Sequence, residues 1–219
     1  MLWLCHRGYH ALAPENTLDA FEAAIELGVN GLETDVQLSG DGIPVMFHDR
    51  LSPDGRLVGD LSRNELSRLV GYTVPTLAET LLLLEKTPRH FLWNFELKHP
   101  NVAAPAMAAL TPYLHSANIL ISSFWHDLIG SLSADPDLRC ALILAHSPLP
   151  FDSRPSWIPV RQNVDTLVWC FDRTPPEALS QARQLGFRNF VYDAVTAADH
   201  AQLAEWDAEG VITDYPAFR

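Results

Sequence analysis

The sequence predicts a compact (β/α)₈ barrel, a TIM barrel with parallel strands, that spans residues 1–219 as one domain. Short runs rich in Val, Ile and Leu alternate with helical patterns, which is typical of parallel strands buried on both faces. Eight such runs remain when residues 44–48 are left out, and nine when they are included. No G-x-G-x-x-G follows any run, which disfavours the alternative of a doubly wound open sheet. The length of 219 residues is close to the lower limit for such barrels, about 200 residues.

The first third of the chain predicts strands around one amphipathic helix. Apolar residues recur at helical spacing after Thr17, and Gly28 ends the pattern. A polar loop with a turn at residues 53–55 closes this part of the chain. The strands predicted here are residues 2–5, 31–38 and 44–48.

The remaining two thirds continue the alternation. Thr174-Pro175 is a good helix start, because Pro is favoured in the first helical turn. The predicted helices are residues 64–69, 76–86, 102–114, 127–133, 176–185 and 200–206. The predicted strands are residues 91–98, 119–123, 140–145, 166–171, 190–194 and 211–213.

The charge balance and the cysteines exclude several classes of protein. A formal net charge of −12 disfavours broad binding to nucleic acid or anionic membranes, and it leaves a small-molecule partner as the expectation. The three cysteines are too widely spaced for a disulfide framework or a CxxC zinc site, so we expect buried thiols. No apolar run reaches the roughly 20 residues of a membrane helix, and residues 1–5 are too short for a signal peptide. We therefore expect a cytoplasmic protein without integral membrane association.

Carboxylates fall at corresponding places on two predicted strands. Glu33 and Asp35 share one face of their strand, because alternate residues point to the same side. Glu96 ends another strand, and the active site of a barrel lies at the carboxyl ends of its strands. Three hard oxygen ligands suit Mg²⁺ or Ca²⁺, which we expect ahead of Mn²⁺ or Zn²⁺.

Basic residues fall at the same strand ends. Arg7 and Lys98 are expected to hold an anionic substrate, and the arginine side chain is well shaped for phosphate. The alternative for Lys98 is an ion pair with Glu96 or Glu33 that only stabilises the end of the barrel.

Two histidines are candidate proton carriers, because histidine titrates near neutral pH. His6 ends the first strand and His48 follows the run at residues 44–48. Zinc would become a candidate only if these histidines joined the carboxylates as ligands. The other seven histidines fall in loops, on helices or at helix ends, where we expect solvated or capping roles: His10, His90, His99, His115, His126, His146 and His200.

Several short motifs occur in a specific order along the chain. HRG at residues 6–8 is followed by PENT at 14–17, E-x-D at 33–35 and HD at 48–49. An E-x-K strand at residues 96–98 and GVITDYP at 210–216 complete the set. This combination resembles the glycerophosphodiester phosphodiesterase family over nearly the whole chain, and it is far more specific than any single motif.

The resemblance implies a (β/α)₈ barrel that hydrolyses glycerophosphodiesters to glycerol 3-phosphate and an alcohol. It implies that the three carboxylates bind a divalent cation and that His6 and His48 act as general acid and base, in either assignment. In such families a substrate hydroxyl near the phosphorus can attack, giving a cyclic phosphate that water then opens.

The chain also departs from the family pattern. The segment after Asp49 is short, which implies an open mouth to the site. Tyr192 stands where the family often has an aromatic wall, and we expect it to pack in the core. Asn16 or Thr17 is expected to cap the first helix, with Glu15 holding the neighbouring loop.

Two other functions remain open from the sequence. A lysophospholipase D would need an apolar groove for an acyl chain, which the loop at residues 148–159 is able to supply through Leu149, Phe151, Trp157 and Ile158. A non-catalytic barrel that binds phosphate or metal predicts the loss of a histidine or a carboxylate from the motifs, and none is missing.

Overall fold

The structure is a computed structural model that describes residues 1–146 and 163–219. Eight parallel strands form a closed barrel, because the first strand pairs with both the last and the second. The predicted barrel is therefore confirmed, and the open-sheet alternative is wrong. The barrel strands are β1 (Leu2–His6), β2 (Gly31–Leu38), β4 (Leu92–Leu97), β5 (Asn118–Ser123), β6 (Cys140–Leu144), β7 (Val164–Cys170), β8 (Arg188–Tyr192) and β9 (Gly210–Thr213), and one further strand, β3 (Pro44–Met46), lies outside the barrel.

Helices follow most of the strands, and several begin with side-chain caps. Thr17 caps the first helix by accepting a hydrogen bond from the Ala20 N–H, and Gly28 ends that helix at a φ of 72°. The predicted helix at residues 102–114 is shorter in the structure: the α-helix ends at Leu110, and a 3₁₀ turn that contains Pro112 follows at Thr111–Tyr113. The helices are α1 (Leu18–Leu27), α2 (Arg63–Val70), α3 (Leu77–Leu84), α4 (Ala103–Leu110), α5 (His126–Leu132), α6 (Pro176–Gln184) and α7 (Ala197–Glu205).

The predicted strand at residues 44–48 is not part of the barrel. β3 is antiparallel to β2 and pairs with Val36, Gln37 and Leu38 at the far end of that strand, and its Val45 also forms an antiparallel bridge with Thr76. The chain then returns toward the barrel, where the Phe47 N–H donates to the carbonyl of Asp35 at 3.1 Å. A loop after β3, rather than a barrel strand, therefore brings His48 to the site.

The strands bury one face inside the barrel and the other face against the helices. The outward face carries the larger core, which includes Trp93, Phe95 and Trp169. The interior is filled by a smaller apolar cluster: Leu4, Leu92, Leu120, Ala141, Ile143, Val168, Phe190 and Ile212. The lower barrel is therefore packed, and the inward polar residues near the carboxyl ends of the strands face a cavity.

The cysteines and the helix lengths bear on two expectations from the sequence. All three cysteines are buried free thiols, as predicted. Among the described residues, we find no helix with the length and apolar character needed to cross a lipid bilayer.

Candidate active site

Three buried carboxylates meet at the carboxyl end of the barrel. Glu33 and Asp35 lie on β2 and Glu96 lies on β4, with Asp35 directly beside Glu96 in the strand register. One ligand oxygen from each residue lies within 4.8 Å of the other two. The convergence predicted from the alternation of strand faces is thus observed.

Burial makes this cluster electrostatically unbalanced. Burial, with added repulsion from Asp35, raises the pKa of Glu33 to about 8, and it also raises the pKa of Glu96. Burial acts in the same direction on Asp35, but nearby positive charge, above all that of Lys98, outweighs it and holds the pKa of Asp35 below its ordinary value. One oxygen of Glu33, Oε1, is buried and has no hydrogen-bond partner within residues 1–146 and 163–219. Buried, mutually repelling carboxylates with a free oxygen fit a divalent cation.

Two positively charged side chains, Lys98 and Arg7, flank the carboxylates. Lys98 Nζ lies 2.8 Å from Glu96 Oε1 and 3.2 Å from Asp35 Oδ1. Arg7 Nε lies 3.4 Å from Asp35 Oδ2, and Arg7 Nη1 donates to Glu15 Oε1 at 2.9 Å. The ion pair that we considered as the alternative for Lys98 therefore forms, but it forms within the cavity that holds the carboxylates.

His6 is held by a carboxylate at the other end of the chain. Its Nδ1 lies 2.7 Å from Asp214 Oδ1, and its Nε2 accepts from Arg7 Nε at 3.2 Å. Because a guanidinium only donates, Nδ1 carries the ring hydrogen in this arrangement and Nε2 lies 3.8 Å from Glu33 Oε2. Burial lowers the pKa of His6, but the hydrogen bond to Asp214 and the charge of Glu33 outweigh it, so the pKa lies above its ordinary value.

The sequence did not single out Asp214 or His10. The carboxylate of Asp214 also lies 2.9 Å from His10 Nε2, so it joins two histidines. The expectation of a solvated or capping role for His10 is wrong. The position of Asp214 at the end of the last strand was a usable signal, because barrel strand ends converge.

His48 depends on a glutamine for its position. Its Nδ1 lies 2.8 Å from Asp49 Oδ1. Gln37 Nε2 donates to the carbonyls of Phe47, His48 and Asp49 at 3.0, 2.9 and 2.7 Å. Gln37 shares the inward face of β2 with the two acidic residues, so the alternation of the strand places it correctly, but its role was missed.

The PENT segment at residues 14–17 has the structural role that we expected, because it positions an acidic residue of the site. Asn16 is buried at a φ of 56°, in the left-handed region that asparagine tolerates. Its amide donates to Asp35 Oδ2 at 2.8 Å and accepts from the Thr34 hydroxyl at 2.7 Å. The cap of α1 is Thr17, and Asn16 instead fixes the orientation of one acidic side chain.

A cavity of about 240 Å³ contains these groups. Tyr192 lines it, and its ring meets that of Phe124 edge to face at a centroid distance of 6.4 Å. Tyr192 also packs on the apolar interior, so the expected core contact is only part of its environment. The loop at residues 148–159, considered as an acyl groove, lies outside the described residues. The lining residues are His6, Arg7, Glu33, His48, Asn94, Glu96, Lys98, Phe124, Ile143, Val168, Tyr192, Asp193 and Ile212.

Comparisons with known proteins identify the family of this chain. A model of the glycerophosphoryl diester phosphodiesterase family matches residues 6–218. A glycerophosphodiester phosphodiesterase of Caldanaerobacter subterraneus subsp. tengcongensis is 28% identical over 235 residues, covering 98% of this chain and 94% of the relative. Another from Bacillus altitudinis is 33% identical over 147 residues, or 58% of each chain.

Solved structures show the same fold. A crystal structure of a glycerophosphodiester phosphodiesterase from Thermotoga maritima has a TM-score of 0.76 and 26% identity, over 99% of this chain and 95% of that one. A phosphodiesterase from Oleispira antarctica, in complex with the product sn-glycerol-3-phosphate, has a TM-score of 0.81 and 24% identity, over 99% and 94%. Because the family model spans nearly all of the sequence, the chain belongs to the glycerophosphoryl diester phosphodiesterase family and is a phosphodiesterase enzyme.

Proposed function

We propose that this enzyme hydrolyses glycerophosphodiesters to glycerol 3-phosphate and an alcohol. The observation that carries the proposal is the convergence of three buried carboxylates, two histidines and two cationic side chains around one cavity. The product named in the Oleispira antarctica complex, sn-glycerol-3-phosphate, supports the same product here.

Glu33, Asp35 and Glu96 would hold the divalent cation. We expect Mg²⁺ or Ca²⁺ ahead of Mn²⁺ or Zn²⁺, because all three ligands are carboxylates and the Nδ1 atoms of both cavity histidines already contact other carboxylates. When bound, such a cation neutralises phosphoryl oxygens and lowers the pKa of an attacking hydroxyl or water.

The two histidines supply acid and base catalysis. Asp214 holds Nδ1 of the His6 ring, so that Nε2, which accepts from Arg7 Nε, is the nitrogen that exchanges a proton on the cavity side. His48 supplies the complementary transfer: one histidine takes the proton of the attacking oxygen, and the other protonates the leaving alcohol. Arg7 and Lys98 bind the phosphoryl oxygens and stabilise the charge that develops on them.

The first experiment measures release of glycerol 3-phosphate from glycerophosphocholine and glycerophosphoethanolamine. EDTA is expected to abolish turnover, and Mg²⁺, Ca²⁺ or Mn²⁺ to restore it. His6→Ala should lower turnover by about 10²- to 10⁴-fold, the usual contribution of one proton-transfer group. Glu33→Gln should weaken the response to the cation.

An exposed carboxylate on α1 provides a matched control. Glu26→Gln is expected to keep wild-type turnover, since Glu26 lies outside the site. Turnover that survives EDTA, or that His6→Ala leaves unchanged, would contradict the proposed roles. Activity on lysophospholipids alone would favour the lysophospholipase D alternative, and binding of phosphate without any turnover would favour the non-catalytic barrel.

A further inference from the structure

The floor of the cavity contains one polar residue among apolar ones. We define the floor as Asn94, Ile143, Val168 and Ile212, which line the cavity from inward positions on four strands. Three of these residues belong to the apolar cluster that fills the barrel. Asn94 is fully buried, and among the described residues neither its Oδ1 nor its Nδ2 has a hydrogen-bond partner.

The unpaired amide of Asn94 suggests that a ligand binds there. Burying an amide without hydrogen bonds is unfavourable, and buried polar groups are nearly always satisfied by protein, water or another molecule. An asparagine side chain with a free N–H and a free carbonyl complements a group that both accepts and donates, which is the property of a hydroxyl. The cavity in front of Asn94 is the place from which such a hydroxyl would reach it.

The depth of Asn94 indicates which hydroxyl reaches it. Asn94 is two residues before Glu96 on β4, and a strand rises about 3.3 Å per residue, so Asn94 lies roughly 6–7 Å deeper in the barrel. The phosphate is expected above it, beside Arg7, Lys98 and the carboxylates. Of the two free hydroxyls of a glycerol phosphate ester, the terminal one is farther from phosphorus and extends farther toward the floor.

We propose that Asn94 binds the terminal hydroxyl of the glycerol moiety and thereby selects substrates whose glycerol carries no acyl chain. This assignment rests on the proposed function. Acylation of the terminal oxygen removes its hydrogen, which leaves the Asn94 carbonyl unpaired. The apolar cluster below the floor is packed and provides no path for an acyl chain through the described part of the barrel. The site therefore favours glycerophosphodiesters over lysophospholipids.

The test is the equilibrium affinity for two ligands, glycerol 3-phosphate and propane-1,2-diol 1-phosphate, measured by calorimetry with Mg²⁺ present. The second ligand lacks only the terminal hydroxyl. Wild-type protein is expected to bind glycerol 3-phosphate at least about tenfold more tightly. Asn94→Leu should bind both ligands with similar affinity, because it weakens only the binding of glycerol 3-phosphate.

Ser122 provides a matched control on the neighbouring strand. It is fully buried, its hydroxyl also has no partner in the described part of the chain, and it pairs with Glu96 in register, but it is not among the residues that line the cavity. Ser122→Ala is expected to keep the preference for glycerol 3-phosphate. Loss of the preference in Ser122→Ala as well would contradict a specific role for Asn94.

Thermal stability separates a binding role from a structural one. Replacing an unpaired buried amide by an apolar group of similar size is expected to leave the melting temperature of the metal-free protein unchanged or to raise it. A structural amide predicts the opposite, a clear fall in Asn94→Leu. Asn94→Ala repeats the binding test if the leucine variant does not fold.

Two further results would overturn the assignment. One is equal affinity of the wild type for both ligands, and the other is equal weakening of both ligands by Asn94→Leu, as expected for an amide that holds a water or supports Glu33. A clear preference for the hydroxyl without turnover of any glycerophosphodiester would contradict the proposed function but support Asn94 as a hydroxyl-binding residue. Binding of neither ligand would contradict both.

Discussion

At the scale of single residues, the site pushes the pKa values of neighbouring groups in opposite directions. Burial and mutual repulsion favour the protonated forms of Glu33 and Glu96. Asp35 stays ionised because Lys98 and other positive groups surround it. The cluster therefore holds a proton that a divalent cation has to displace, and its affinity for the cation depends on pH.

We expect cation binding to release at least one proton per site near pH 6 and fewer above pH 9. The reason is that Glu33, with a pKa of about 8, is protonated in the metal-free protein at the lower pH and ionised when it binds the cation. Calorimetry in two buffers with different heats of ionisation measures the number of protons released. Equal release at both pH values would contradict a protonated Glu33.

The metal-free protein should also become less stable as pH rises. An acid whose pKa is raised by folding binds a proton in the folded state that the unfolded chain has already lost, so the free energy of unfolding falls between the ordinary pKa of 4.5 and about 8. Thermal melts of EDTA-treated wild type and Glu33→Gln across this range measure the effect. The fall should be smaller in the variant, and parallel curves would exclude Glu33 as its source.

Asp214→Asn is expected to lower the pKa of His6. The hydrogen bond and the charge of Asp214 both favour the imidazolium, and burial alone would lower the pKa. NMR titration of the His6 imidazole resonances in wild type and in Asp214→Asn follows the shift. An unchanged His6 pKa would show that Asp214 only orients the ring.

At the scale of secondary structure, β2 and its hairpin organise half of the site. β2 presents Glu33, Asp35 and Gln37 on one face, and β3 folds back antiparallel along its far end. Gln37 then holds the turn at residues 47–49 through three carbonyls. One strand therefore supplies two carboxylates and also fixes the loop that carries His48.

Gln37→Leu should lower turnover by roughly 10- to 100-fold while the affinity for the cation stays close to wild type. The leucine removes three hydrogen bonds to the His48 turn, and small displacements of a catalytic group have effects of this size. Steady-state kinetics and metal titration measure the two quantities. Gln202→Leu, at an exposed position on α7, is the control. An equal loss of cation affinity would indicate a general disturbance of β2.

At the scale of the whole molecule, function depends on closure of the barrel. The pairing of β1 with β2 and β9 brings His6 beside Glu33 and Asp214, which are far apart in the sequence. Cys5 lies in this closing strand, paired with Leu32 on one side and Thr213 on the other. Its thiol is therefore a reporter of whether the barrel opens at β1.

Cys5 and Cys140 are expected to react slowly with a thiol reagent under native conditions. Both are fully buried, and burial raises the pKa of each thiol to about 12. Cys170 is slightly exposed and should react first. Mass spectrometry of labelled peptides follows each site, and denaturant should make all three react together. Rapid native labelling of Cys5 alone would show local opening of the β1 seam.

The sequence by itself determined the features that depend on local periodicity. The alternation of apolar runs and helical patterns predicted eight barrel strands, because strands and helices bury their apolar residues at different spacings. The same periodicity placed Glu33 and Asp35 on one face of β2, and the position of Glu96 followed from the convergence of strand ends. The orientation of these three side chains is set mainly by their own strand and by the pairing of β2 with β4.

The tertiary structure alone decided the features that depend on long-range contacts. The hydrogen bond between His6 and Asp214 joins residues 208 positions apart. Asn94 becomes a candidate ligand-binding residue only because apolar residues of three other strands surround it on the floor of the cavity. The antiparallel course of β3 was also unpredictable, since a short apolar run fits either direction. Barrel closure sets the first two features, because it determines which distant side chains share the cavity, and the pairing of β3 with β2 outside the barrel sets the third.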